Sequence, residues 1–178
     1  YTNPYHTRNG VSRGLKAYYR TTDAAAANIA EYTTDIYGGS VSYGIPLTEY
    51  NRASASLGYE DTRINPTANT PANFLEYLDA NSSRFDLYTF ASSWSHDTRN
   101  RAIFADQGTF LSLSLDSSLP GSGIEYYKIG IRGLRFTPVN ESLTLLTKSE
   151  LGYGGSYGDT TELPFFEHYF AGGTQTVR

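Results

Sequence analysis

Cysteine and methionine are both absent from the 178 residues, and tryptophan occurs once. Without cysteine there is no disulfide, no thiolate nucleophile and no Cys-based zinc site. No apolar run approaches the roughly 18–20 residues of a transmembrane helix. Charge is sparse too, at 18% of residues with a net −4, and a pI of 5.3 gives no global pull toward nucleic acid. Tyr1 opens mid-pattern with no basic, apolar leader, so any export signal is expected to have been removed or to lie outside these residues. What is plentiful is tyrosine (16), glycine (17) and phenylalanine (9). The length suits one domain, and 39% hydrophobic residues is too many for general disorder.

Taken in steps of two, the chain separates into an apolar row and a polar row. Over 11–21, Leu15, Ala17 and Tyr19 alternate with Gly14, Lys16, Tyr18 and Arg20. Over 36–46 the apolar row is Tyr37, Val41, Tyr43 and Ile45; over 51–60 it is Ala53, Ala55, Leu57 and Tyr59. Segments 109–116 and 125–133 repeat the pattern with Leu111, Leu113 and Leu115, then Tyr127, Ile129 and Ile131. Two further segments split less cleanly: over 85–96 Tyr88, Phe90 and Trp94 form one row but the other is only mildly polar, and over 142–153 Lys148 and Glu150 share a face with Leu146. This period predicts seven strands with one greasy and one wet face, each about ten residues long, which suits tilted membrane-crossing strands.

Turn signals separate these segments. Ile45-Pro46 and Leu119-Pro120-Gly121-Ser122-Gly123 are breaks, since Pro and Gly sit poorly in a central ladder. Residues 61–84, rich in Asn, Thr and Pro, read as a large loop. Inside it Thr70-Pro71 is placed to cap a short helix over 72–79 with Phe74, Leu75 and Leu78 on one side. Residues 154–178 form a second long irregular stretch. Short and long connections in rough alternation are what transmembrane barrels show on their two membrane sides.

Periodicity alone leaves two architectures open, a soluble sandwich or small barrel and an outer-membrane barrel. The polar rows hold Lys16, Arg20, Arg52, Glu60, Lys128, Arg132, Lys148 and Glu150, which would face a lumen in one and solvent in the other. Tyrosines near strand ends, at Tyr37, Tyr59, Tyr127 and Tyr153, favour the membrane barrel through its interfacial aromatic girdle.

Catalytic patterns are weak. Gly154-Gly155-Ser156-Tyr157-Gly158 fits G-x-S-x-G, with Asp159, Glu162, Glu167 and His168 beyond it. A nucleophile elbow needs a helix directly after the Ser, and Asp-Thr-Thr-Glu-Leu-Pro reads as a loop. His6, His96 and His168 are far apart, without the spacing of metal ligands. Glu60 and Asp61 are neighbours on a strand and point to opposite faces, which spoils acid–base cooperation. The expectation is a protein that is not an enzyme and holds no cofactor or metal.

Four ordered stretches carry a resemblance: Asn3-Pro4-Tyr5 with Asn9-Gly10-Val11-Ser12-Arg13-Gly14; 119–128; Pro164-Phe165-Phe166-Glu167-His168-Tyr169-Phe170-Ala171-Gly172; and the run from Gly172 to Val177-Arg178. Together they resemble the BamA family of outer-membrane assembly factors of Gram-negative bacteria. Val177-Arg178 looks like the start of that family's Val-Arg-Gly-aromatic motif on the long sixth extracellular loop. A family barrel has sixteen strands, and 178 residues hold about seven or eight at roughly 22 residues per strand and connection. The resemblance therefore implies an all-β chain, a segment of a transmembrane antiparallel β-barrel with internal strands plus a lumen-folding loop over 154–178. Periplasmic domains and both seam strands are expected to lie outside it. It further implies folding and insertion of barrel precursors at the bacterial outer membrane. The partners would be unfolded outer-membrane precursors, accessory lipoproteins and outer-membrane lipids, with no nucleic acid. Arg178 would sit inside the barrel, its fork paired with carboxylates. A secretion pore of the same superfamily, of the two-partner type, and a non-enzymatic soluble β binding domain are the alternatives.

Overall fold

The computed structural model describes residues 1–23 and 32–169. Its strands are β1 (Thr2–Asn3), β2 (Ser12–Asp23), β3 (Tyr32–Pro46), β4 (Asn51–Pro66), β5 (Arg84–Asp97), β6 (Gly108–Ser118), β7 (Tyr126–Asn140) and β8 (Leu143–Ser156), with helix α1 (Ala72–Asn81) between β4 and β5. They form one eight-stranded antiparallel sheet in sequence order, so every strand lies beside its chain neighbours. The seven expected segments are all strands, and the two-residue β1 is additional. A register shift between Pro138 and Asn140 marks the end of β7, where proline has no N–H for the ladder.

Because directly paired residues share a face, the register fixes two surfaces. Leu15, Val41, Leu57 and Phe90 align in one row, and Trp94, Leu113, Ile131 and Leu151 in another, both on the same face. We call this the outer face. Lys16, Ser40, Gly58 and Thr89 align on the opposite, inner face, as do Asp116, Lys128 and Gly154.

The buried core is not spread through the sheet but gathered at one end of the inner face. Tyr32, Ile64, Phe85, Leu87 and Tyr126 from the strands pack with Leu78 of α1 and Ile124 of the β6–β7 connection. Phe74, Tyr77, Leu163 and Phe166 close over them. Here the alternation inverts: the inner row turns apolar, while Asp35, Asp61, Arg63 and Asp86 occupy the outer row. For this reason β4 continues to Pro66 where a loop from residue 61 was expected, and β3 starts at Tyr32 rather than 36. The helix covers Ala72–Asn81, a little beyond the expected 72–79, and Leu75 is exposed while Tyr77 takes its expected place in the packing. Its N-cap is Pro71 with no side-chain cap; the Thr70 hydroxyl instead accepts the Thr67 N–H at 2.8 Å. At this same end β8 runs to Ser156, so 154–156 are strand rather than loop.

Candidate functional site on the inner wall

Among the polar-row residues singled out by sequence, the inner face collects all eight: Lys16, Arg20, Arg52, Glu60, Lys128, Arg132, Lys148 and Glu150. Several neutralise one another. Glu150 forms ion pairs with Arg132 at 3.3 Å and with Lys148 at 3.1 Å. Glu60 accepts a hydrogen bond from the Tyr18 hydroxyl across Gly38. A Cβ at Gly38 would come within 2.6 Å of the Tyr18 ring, so only glycine lets that ring lie across the strand. Glu60 and its neighbour Asp61 point to opposite faces as expected, Asp61 binding Arg84 on the outer side.

The chain leaving β8 returns over this wall. The Tyr157 hydroxyl donates to the Ser118 carbonyl at 2.6 Å, and the Tyr157 N–H donates to the Glu125 carbonyl at 3.0 Å. The Glu125 N–H is answered by the Thr160 hydroxyl at 2.8 Å. Ser118 itself is fully buried, and its hydroxyl accepts the Tyr126 N–H at 2.8 Å, so its burial leaves no orphaned donor. Pro164 is fully buried, and the Phe166 ring lies 5.8 Å from that of Phe85. Beyond the 3-10 turn Phe165–Glu167, the Glu167 carboxylate meets the Lys128 ammonium at 3.1 Å with both groups mostly buried. The same ammonium lies 4.9 Å from the centre of the Tyr169 ring. The Tyr169 hydroxyl donates to the Ile129 carbonyl at 3.2 Å, and the ring lies so close to Gly152 that a Cβ there would approach it to 2.7 Å.

Lys128, Gly152, Glu167 and Tyr169 thus make one anchor joining the post-β8 segment to the wall. Of these, sequence reasoning gave Lys128 as an inner cation and missed the rest. The available signal was Gly152, a glycine within a strand and on its inner row, which marks a close approach by other atoms. The expected loop-motif residues Val177 and Arg178 lie outside the described residues. Above the core, burial and the nearby Glu162 carboxylate push the Tyr77 phenol on α1 to a higher pKa.

The G-x-S-x-G stretch holds no nucleophile elbow: Ser156 is the last residue of β8 and a turn follows it. His168 bonds the Leu163 carbonyl through Nε2 at 3.0 Å. Among the described residues no three His, Asp or Glu side chains gather into a metal cluster.

The outer face has the opposite character. Tyr19–Tyr37, Tyr59–Tyr88 and Tyr127–Tyr153 stand as ring pairs 4.5, 5.6 and 6.2 Å apart toward the loop end. Leu15, Val41, Leu57, Leu113, Ile129, Ile131 and Leu151 lie exposed on the turn side of them. Trp94, stacked on His96 at 6.3 Å, and Tyr43 follow toward the turns. An apolar band flanked by aromatic residues, backed by a polar inner face, is the surface of a transmembrane β-barrel wall.

Comparison with known proteins agrees. The Omp85 superfamily domain matches residues 1–178, so the chain belongs to the Omp85 superfamily. The outer membrane protein assembly factor BamA of Neisseria meningitidis serogroup B is 30% identical over 188 residues, covering 100% of this chain and 24% of that protein. The crystal structure of BamA from Haemophilus ducreyi lacking POTRA domains 1–3 superposes with a TM-score of 0.86 at 28% identity, over 99% of this chain and 36% of that one. The chain therefore spans about a quarter of the curated relative's length. It is a segment of a bacterial outer-membrane β-barrel, and its inner face is the lumen side.

Proposed function

We propose that this segment is part of the barrel of an outer-membrane assembly machine that folds and inserts β-barrel precursors. The observation that carries the reading is the full-length match to the barrel of an assembly factor, at 28% identity and a TM-score of 0.86. Its partners are unfolded outer-membrane precursors, accessory lipoproteins of the assembly complex and outer-membrane lipids. The work needs no bond chemistry. A client strand adds to an exposed sheet edge because its backbone donors and acceptors must be satisfied in lipid.

In this reading residues 1–178 are internal strands plus the long loop that enters the lumen, with the seam strands and periplasmic domains elsewhere in the protein. The segment supplies wall and loop rather than the edge on which clients grow. Val177 and Arg178 begin the loop motif, and the Arg178 guanidinium pairs with carboxylates of the inner wall, pinning the loop while the barrel flexes. The course of residues 157–169 along the inner face supports this direction of travel.

The test uses the full-length parent in lipid vesicles with an unfolded barrel client. Folding faster than in empty vesicles, and slower again with Arg178→Ala, is the expected result. Acceleration untouched by the substitution removes the pinning role. No acceleration, with client released across the vesicle wall, replaces assembly by secretion.

A further inference from the structure

On the outer face of β5–β8, Trp94, Leu113, Ile131 and Leu151 form one row. The next row toward the turns is His96, Leu111, Gly133 and Ser149, and the one after it is Thr109, Arg135 and Thr147. Gly133 breaks the apolar surface. A Cβ on it would meet nothing within 4 Å, and the space belongs to a groove of about 360 Å³ lined by Leu111, Gly133, Arg135 and Ser149 among others.

Arg135, at the turn-side end of this groove, is exposed, and its guanidinium makes no hydrogen bond or ion pair with any described residue. Its row neighbours Thr109 and Thr147 are neutral, and Glu150, the nearest acid along β8, engages Arg132 and Lys148 on the inner face. An uncompensated guanidinium on a lipid-facing surface is costly unless an anion meets it. Its place, on the turn side of the Trp94 row, is where a bilayer's interface begins. We propose that this groove is a phospholipid site of the turn-side leaflet. One acyl chain fills the gap over Gly133 against Leu111, and Arg135 holds the phosphodiester beside the Thr109 and Thr147 hydroxyls. Charge complementarity selects the occupant, because a neutral or purely apolar partner would leave the guanidinium unmatched. The proposal rests on the outer-membrane placement of the wall and is independent of the assembly function.

The experiment places the full-length parent in phosphatidylcholine bilayer discs doped with a phosphatidylglycerol carrying a diazirine on one acyl chain. A second arm uses a diacylglycerol with the same chains and no phosphate. Mass spectrometry then locates the adducts. They are expected to concentrate on 109–113 and 131–149, with phosphatidylglycerol exceeding diacylglycerol there about fivefold. Gly133→Leu should lower both labels at this site, while Arg135→Gln should remove only the preference for the phosphate-bearing lipid. Adducts spread evenly over the outer face overturn the proposal, as does exclusion of both lipids from 131–149 by a protein covering it. The wild-type map decides this even if a variant fails to fold.

Discussion

Two glycines in neighbouring strands show how differently the same residue works. Gly152 faces the lumen beneath Tyr169, whereas Gly133 faces outward into open space. Gly152→Ala should push the Tyr169 ring off the wall and break its bond to the Ile129 carbonyl, a loss of about 1 kcal/mol. Limited proteolysis within 157–169 should then run about fivefold faster, since cleavage follows the open population. Gly133→Ala meets no atom and should change stability by no more than about 0.5 kcal/mol, measured by urea unfolding. Lys128→Met removes the partner of Glu167 and leaves a mostly buried carboxylate unmatched, so it should loosen the same segment at least as much as Gly152→Ala in the same protease assay. A loop that stays resistant in both variants would mean that its contacts from Tyr157 to Phe166 hold it without this anchor. Glu167 and Tyr169 were illegible as anchors because nothing local in Pro-Phe-Phe-Glu-His-Tyr states that Lys128, 39 residues earlier, lies opposite.

At the scale of elements, the strands were legible wherever one face meets lipid, because lipid demands a continuous apolar row. The boundaries failed where that demand stops. From Asp61 onward on β4 the outer residues become charged and the inner ones, Thr62 and Ile64, become buried. The period of two persists there, but its sign reverses, and a reading that follows the apolar row outward reports a loop. β1 escaped notice for a simpler reason, since a two-residue strand has no period. The reversed region holds the main buried cluster of the described residues, and α1 is its lid. Phe85 is 2% exposed, shares its cluster with Leu78 of α1, and lies against the Phe166 ring. Phe85→Ala should therefore cost about 3–5 kcal/mol, read as a lower urea midpoint. The same truncation at Leu113, 40% exposed on the outer face, should leave the loop-end core intact. Equal losses of α1 protection in both variants, followed by hydrogen exchange, would contradict a core confined to one end.

For the molecule as a whole, one surface is built to touch lipid and the other to hold charges and a returning segment. Composition alone could not decide which, because a soluble sandwich also alternates. What decides is the combination: tyrosine pairs in a belt, leucine and isoleucine left exposed below them, and the main buried cluster gathered on the inner side of the loop end. Cysteine is absent from these residues, so every thiol labelled within them is an introduced one. Spin labels on single cysteines, introduced along β4 and β7 of the full-length parent in lipid vesicles, report contact with dissolved oxygen or with a water-soluble nickel complex. A membrane wall gives strict alternation, with oxygen contact at Ala55, Leu57, Ile129 and Ile131 and nickel contact at Ser54, Ser56, Gly130 and Arg132. Nickel contact at both rows, or oxygen contact at neither, would contradict a membrane wall.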